Sequence, residues 1–181
     1  MKKQAFADRY PYGIFSCIRT MGHIYKSRGN FDLSAQYYQE ALDYMLKNMP
    51  DQDPSQLYSS LAEYYRNTQK DYATALDYCE KALKSAKTER NTAQAMIEKC
   101  LVLFRQGRID EFNDCYKEAV QMADRCKLSA SVSLLIAHIS KNILDKQYEQ
   151  AHAHADQLSE EGLQQHRLHL RMRQRLSQCH Q

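Results

Sequence analysis

Two histidine pairs have the spacing that comes nearest to a metal site in this sequence. His152 and His154 lie two residues apart in the segment AHAHA. On a helix, two such residues point about 200° apart, so their rings cannot easily share one ion. His166 and His169 have the more suitable i, i+3 spacing, but the arginines around them would repel a cation. We therefore expect no metal site and no cofactor.

The cysteines and the known catalytic signatures give no sign of enzyme chemistry either. The sequence contains no P-loop, no HExxH, no GxSxG and no dinucleotide-binding fingerprint. The six cysteines are Cys17, Cys79, Cys100, Cys115, Cys126 and Cys179. Without a CxxC pair or dense spacing they favour small core residues in a reducing compartment, although their even number leaves disulfides open. We therefore predict that the chain is not an enzyme.

Charge and aromatic content argue against nucleic acid as the main ligand. The net charge is only +3, and the segment from Gly162 onward holds four arginines and no acid, so the rest of the chain is near neutral. Tyrosines would suit base stacking, but seven of them fall at regular positions of an internal repeat and are expected to pack in the core. These are Tyr25, Tyr38, Tyr58, Tyr65, Tyr72, Tyr116 and Tyr148. No apolar run approaches the roughly 20 residues that cross a bilayer, so we expect no membrane span.

Three series of residues recur along the chain in one register. The first series is expected to open four helices, at spacings of 41, 37 and 39 residues: Phe31, Tyr72, Ile109 and Tyr148. Two further series keep these spacings, namely Ala41, Ala82, Ala119 and Leu158, and Ser34, Ala75, Phe112 and Ala151. A shared period of this length is the signature of a repeat architecture.

Each copy of the repeat predicts two amphipathic helices, which makes the fold class all-α. The copies span about residues 13–50, 54–88, 91–125 and 128–160, and their first helices are expected to begin near Gly13, Pro54, Asn91 and Leu128. Gly29 is expected to form the turn of the first copy. Gly22 is expected where two helices approach closely, a place taken by Ala62 and Cys100 in the next copies. Cys79 and Cys100 lie on core stripes, so we predict buried thiols.

The residues at these positions resemble the motif of the tetratricopeptide repeat. The first copy carries it as Ile18, Met21, Gly22, Tyr25, Ser34, Tyr38 and Ala41, and the second as Tyr58, Leu61, Ala62, Tyr65, Ala75, Cys79 and Ala82. The third and fourth copies carry a weaker form, and the period of about 39 residues exceeds the ~34 of the family. The resemblance covers about residues 13–160 and implies an α-solenoid of about four helical hairpins.

The segments that flank the four copies also carry expectations. Residues 1–161 are predicted to form the array, with residues 1–10 as the end of a preceding repeat in a chain cut from a longer protein. Residues 162–181 are predicted to form a basic C-terminal helix. It would either cap the open end of the array or act as a connector to another domain.

The resemblance implies a concave groove lined by the first helices of the repeats. Positions offset by about 100° from the core stripe are expected to face this groove. They are Arg19, His23, Lys26, Ser59, Glu63, Arg66, Gln94, Ile97 and Leu101. Because the first half of the groove is basic, we expect an acidic protein or peptide ligand. The carboxylate clamp of one subclass of the family is not matched, since only Arg19 keeps the expected charge.

The function that the resemblance implies is a non-catalytic protein–protein interaction module that binds a peptide or protein segment in the groove. The alternative is the sensor or regulatory region of a larger bacterial signalling protein, a histidine kinase or a transcription regulator. The location is left open: the scattered cysteines favour an intracellular one, and the periplasmic region of a sensor protein is the alternative. The oligomeric state is left open.

Overall fold

The computed structural model describes residues 10–128 and 131–159, which fall into two compact units that divide after Leu128. The helices are α1 (Pro11–Ser27), α2 (Phe31–Asn48), α3 (Ser55–Tyr64), α4 (Tyr72–Ser85), α5 (Glu89–Arg105), α6 (Ile109–Arg125) and α7 (Val132–Leu144). Residues 148–159 are also helical and are named α8. Within the described ranges there is no strand, so the all-α prediction is confirmed.

The second helix of each hairpin begins at the residue that the repeat predicts. These starts are Phe31, Tyr72, Ile109 and residue 148. Side-chain caps account for two of them, because the carboxamide of Asn30 accepts a hydrogen bond from the Leu33 N–H and the carboxylate of Asp71 accepts one from the Thr74 N–H. Local capping chemistry therefore fixes the register that the sequence period indicates.

The turn inside each hairpin uses a residue with left-handed backbone conformation. Gly29 and Gly107 have φ angles of 76° and 73°, which glycine adopts without strain. Lys70 and Lys146 adopt φ angles of 55° and 59° at the corresponding places of the other two hairpins. These four residues are also 41, 37 and 39 residues apart. The series is not recognisable in the sequence, because two of its four members are lysines and not glycines.

The first helices begin close to their predicted residues in three copies and not in the fourth. Helices α1, α3 and α5 begin within two residues of Gly13, Pro54 and Asn91. Helix α7 begins at Val132 instead of Leu128, because the Ser131 hydroxyl caps it by accepting the Leu134 N–H. The fourth start was therefore predicted four residues too early.

The first unit is a stack of three helical hairpins, α1/α2, α3/α4 and α5/α6. Helices that follow one another in the chain pack together, and α3 also packs directly against α5. This arrangement confirms the helical-repeat solenoid over the first three copies. The second unit contains α7 and α8, and the inclusion of residues 128–160 in one array stays a prediction. Residues 1–9 and 162–181, with the predicted preceding repeat and basic helix, lie outside the described residues.

Gly22 lies where the two helices of the first hairpin meet. A Cβ atom added there would sit 2.6 Å from Cε1 of Tyr38, whose side chain is buried. The Ser34 hydroxyl donates a hydrogen bond to the Gly22 carbonyl at 2.8 Å across the same contact. Ala62 and Cys100, at the equivalent places, are fully buried. The predicted close approach is confirmed.

Other core predictions had mixed outcomes. Cys79 is fully buried like Cys100, as predicted. Tyr148 is 59% exposed, so its predicted core role is wrong; it stands at the first turn of a helix, where one face remains open to solvent. No helix among the described residues is long and apolar enough to span a membrane.

Candidate partner-binding groove

Three predicted groove residues lie on one face of α1, spaced so that each follows the last by about one turn. The Arg19 guanidinium lies 5.3 Å from the centre of the Phe15 ring, a cation–π distance. The exposed His23 ring packs edge-on against Tyr38, and its Nδ1 is 3.0 Å from the Tyr38 hydroxyl. Lys26 forms an ion pair with Glu63 of α3. The structure thus brings Arg19, His23, Lys26 and Glu63 to one region.

The charge of this face is carried by Arg19 and Lys26 near neutral pH. Partial burial lowers the pKa of His23, and the nearby charges of Arg19 and Lys26 lower it further. The imidazole is therefore neutral at pH 7, and the Tyr38 hydroxyl can donate to its Nδ1. The α1 face presents two permanent cations and one titratable ring.

A cavity of about 290 Å³ opens beside this face, between α1, α2 and the end of α3. Its apolar wall comes from the start of α2 and includes Phe31, which is 48% exposed. Its polar wall comes from α3 and the turn that follows it. The lining residues are Lys26, Phe31, Ser34, Ala35, Tyr38, Ser60, Glu63, Tyr64, Asn67 and Thr68. A site with one apolar wall and a few polar groups suits a side chain of a partner protein.

Arg66 and Ser59 do not line an open groove, contrary to the prediction. Helix α3 continues into a π-helical turn, Tyr65–Gln69, and this turn directs Arg66 toward α5. The Arg66 Nη2 lies 3.0 Å from Glu98 Oε2, and both side chains are almost fully buried. Ser59 is 6% exposed. Arg66 therefore belongs to the packed junction with α5, and Ser59 is buried.

The third-copy prediction is also corrected. Ile97 and Leu101 are 0% and 2% exposed, so they are core residues and cannot meet a ligand in a groove. Helix α5 is packed against α3, α4 and α6, which leaves little of its surface open. The prediction placed groove residues about 100° from the core stripe, which holds only for a helix with one face open to solvent. Gln94 alone of the three keeps partial exposure.

Several lining residues of the cavity were not predicted from sequence. Phe31, Asn67 and Thr68 come from the start of α2 and from the π-helical turn, and not from the middle of a first helix. The sequence carried one indication of this apolar wall. Phe31 directly follows the turn Gly29-Asn30, and a large apolar residue at the first position of a helix has few neighbours in that helix to cover its side chain.

Comparison with known proteins identifies the first two hairpins. A search among curated proteins returns no match to this chain. A family model described as tetratricopeptide repeat matches residues 15–88, which run from α1 past the end of α4. The match supports the assignment of these residues, which hold the cavity and the α1 face, to the tetratricopeptide repeat family.

Proposed function

We propose that the chain is an interaction module that binds a segment of a partner protein in the groove formed by the α1 face and its adjoining cavity. Tetratricopeptide repeats generally mediate protein–protein interaction, and the family is typically non-catalytic. The observation that carries the proposal is the cavity of about 290 Å³, which lies inside the family segment. A cavity of this size takes one large apolar side chain.

The walls of the cavity indicate which side chain would enter. Phe31, Ala35 and Tyr38 present carbon surface at its apolar wall. Burial of a leucine or phenylalanine side chain contributes roughly 1.5–3 kcal/mol. Ser60 and Asn67 add polar atoms to the opposite wall. We therefore propose a ligand anchored by one leucine or aromatic side chain.

Acidic residues beside this anchor would be attracted to the α1 face. Lys26 and Glu63 are 40% and 29% exposed, so their ion pair remains open to solvent. Such a pair is worth about 0–1 kcal/mol, and a ligand carboxylate can replace Glu63 as the partner of Lys26. Arg19 supplies a second cation near the same place. Because these contacts are at the rim, they govern mainly the association rate and the salt dependence.

A displayed library of random peptides, selected on the intact chain, tests the anchor. Ser60→Phe fills the cavity, and we expect it to weaken binding of the selected peptides by at least about tenfold. Ser85→Phe is the matched control, because each serine hydroxyl donates to the carbonyl four residues earlier and Ser85 does not line the cavity. Unchanged binding to Ser60→Phe would place the ligand elsewhere.

Two variants with opposite expected effects on affinity test the preference for acidic ligands. Lys26→Gln should weaken binding of acidic selected peptides by roughly two- to fivefold, and Glu63→Gln should strengthen it by a similar factor, because Lys26 then loses its internal partner. The salt dependence should fall in the first variant and rise in the second. Equal effects of both variants would exclude a carboxylate at Lys26.

The alternative function, a sensor or regulatory region of a larger bacterial signalling protein, rests on the long period of the repeat, with the basic segment 162–181 as a connector. That segment lies outside the described residues, and the alternative stays a prediction.

A further inference from the structure

Two cysteine sulfurs meet in the third hairpin. Cys100 lies on α5 and Cys115 on α6, two helices that pack directly against each other. Their Sγ atoms are 2.7 Å apart. A covalent bond between sulfurs measures about 2.05 Å, so the two atoms need to approach by only roughly 0.7 Å to be joined.

The two thiols differ in their access to solvent. Cys115 is half-buried and lines a surface cavity of about 370 Å³ with Met96 and Lys99. Cys100 is fully buried behind it. A small reagent that enters the cavity therefore reaches Cys115 first, and Cys100 is placed to react with whatever forms there.

Hydrogen bonding prepares Cys115 to act as the nucleophile. The Cys100 S–H donates to Cys115 Sγ, and this contact, helped by the charge of Lys99, lowers the pKa of Cys115 against the opposing effects of burial and of Glu118. The same contact and burial raise the pKa of Cys100. Because the thiolate is the reactive form, Cys115 is the first of the two to react.

The charge around the cavity selects the kind of oxidant. Glu111, Asp114 and Glu118 line it together with Lys99, and Glu111 is paired with Arg108, so these groups leave one carboxylate in excess of the cations. An anionic oxidant such as glutathione disulfide is repelled by this excess of carboxylates. A small neutral hydroperoxide is not repelled and is small enough to reach the sulfur.

We propose that Cys100 and Cys115 are an oxidation site at which hydrogen peroxide forms a disulfide between α5 and α6. In the first step the Cys115 thiolate attacks one peroxide oxygen, the O–O bond breaks, and the departing hydroxide takes a proton to become water. Cys115 is thereby oxidised to a sulfenic acid. In the second step the Cys100 sulfur attacks Cys115 Sγ, and the sulfenic hydroxyl leaves as water with the Cys100 proton. Two thiols and one peroxide thus give one disulfide and two waters.

Peptide mapping of the peroxide-treated intact chain by mass spectrometry tests the site. We expect loss of the Cys100 and Cys115 thiols together, and a linked pair of peptides that dithiothreitol separates, while the half-buried Cys126 keeps its thiol for longer. A disulfide that joins Cys100 to Cys79, or free Cys100 and Cys115 thiols after Cys126 is oxidised, would overturn the proposal. Glutathione disulfide at the same concentration should give less of the linked product.

Two variants separate the steps. In Cys100→Ala the sulfenic acid at Cys115 has no resolving thiol, so dimedone should label Cys115. In Cys115→Ala the buried Cys100 should keep its thiol. Cys126→Ala is the matched control and should form the disulfide as the wild type does. Absence of linked peptides in the peroxide-treated wild type would contradict the proposal without depending on the folding of either variant.

Discussion

The two junctions between successive hairpins of the first unit are built from similar charges in different surroundings. At the first, Lys26 at the end of α1 pairs with Glu63 of α3, and the side chains are 40% and 29% exposed. At the second, Arg66 in the π-helical turn after α3 pairs with Glu98 of α5, and the exposures are 4% and 3%. The first junction is open and the second is closed.

The packing of the first helices differs at the two junctions. Helix α5 packs directly against α3, whereas the backbones of α1 and α3 approach each other less closely. The side chains at equivalent places agree with this difference, because α1 has Arg19 where α3 has the small, buried Ser59. The space that remains at the first junction is the candidate binding cavity. Arg66 then fills the closed junction, where its planar guanidinium bonds both Glu98 and Asn67.

The comparison assigns different roles to the same type of ion pair. An exposed pair contributes little to stability, so Glu63 can be replaced by a ligand at small cost. A buried pair cannot exchange its partner, because either charge left alone in the core is strongly destabilising. We therefore expect recognition at the open junction and structural specificity at the closed one.

The largest effect is expected from breaking the closed pair. Arg66→Ala leaves Glu98 buried without its cation and should lower the free energy of unfolding by about 3–5 kcal/mol. Lys26→Ala, the matched change at the open junction, should lower it by no more than about 1 kcal/mol. Urea unfolding followed by circular dichroism measures both.

A double variant shows whether the effect comes from the unpaired charge. Arg66→Met with Glu98→Leu removes both charges and keeps apolar volume, so its stability should return to within about 1 kcal/mol of the wild type. If Arg66→Ala and Lys26→Ala have the same small effect, the two junctions do not differ as described.

The second prediction concerns the hairpin that forms the open junction, which is itself tightly packed. Gly22→Leu places a side chain where a Cβ atom would already be 2.6 Å from the Tyr38 ring, and should cost about 1–3 kcal/mol by overpacking. Gly13 is exposed in the same helix, and a Cβ there meets only Tyr10 at 3.9 Å.

Alanine at these two glycines should therefore act in opposite directions. Gly13→Ala should stabilise the chain by up to about 1 kcal/mol through helix propensity, and Gly22→Ala should destabilise it despite the same gain. Thermal melting compares the pair. Equal shifts of the melting temperature would show that Gly22 is not at a close contact.

Sequence reasoning located the helices better than it located the surface. The start of α2 at Phe31 and the contact at Gly22 follow from local rules of capping and size, which a single segment contains. The burial of Arg66, Ile97 and Leu101 depends on how closely a neighbouring hairpin approaches, and on one π-helical turn. The helical period contains neither kind of information. These three residues lie at angles from the core stripe of their helices similar to those of the exposed ones, and were therefore wrongly assigned to the groove.

The third prediction compares a cysteine near the closed junction with a cysteine on α1, the first helix of the open junction. Cys79 is fully buried near the closed pair, and Cys17 is exposed on α1. Alkylation of Cys17 should be prompt, while Cys79 and Cys100 should react slowly until denaturant is added. Prompt labelling of Cys79 in the folded chain would show that the second junction is open.

The same burial gives a dependence on pH. Burial raises the pKa of Cys79 above its ordinary value near 9. Because the folded pKa exceeds the unfolded one, the contribution to stability is complete well below that ordinary value and is lost as the pH rises above it. Cys79→Ala should reduce this alkaline loss, as denaturation midpoints across that range would show.

The smallest effect is expected at the open junction and involves binding. Burial, Arg19 and Lys26 together hold the pKa of His23 below 6.5, so the ring is neutral at pH 7 and gains its charge only as the pH falls. Charging adds a third cation to the α1 face, while ligand carboxylates stay ionised above about pH 4.5. An acidic peptide selected on this chain should therefore bind more tightly as the pH is lowered from about 7.5 to about 5, with a gain of up to roughly two- to fivefold. His23→Gln should bind with the same affinity at both values, and Tyr38, whose hydroxyl meets Nδ1, does not titrate in this range. If the wild type gains no affinity on acidification, the carboxylates of the ligand lie away from His23, and the Lys26 end of the open junction alone provides the electrostatic attraction.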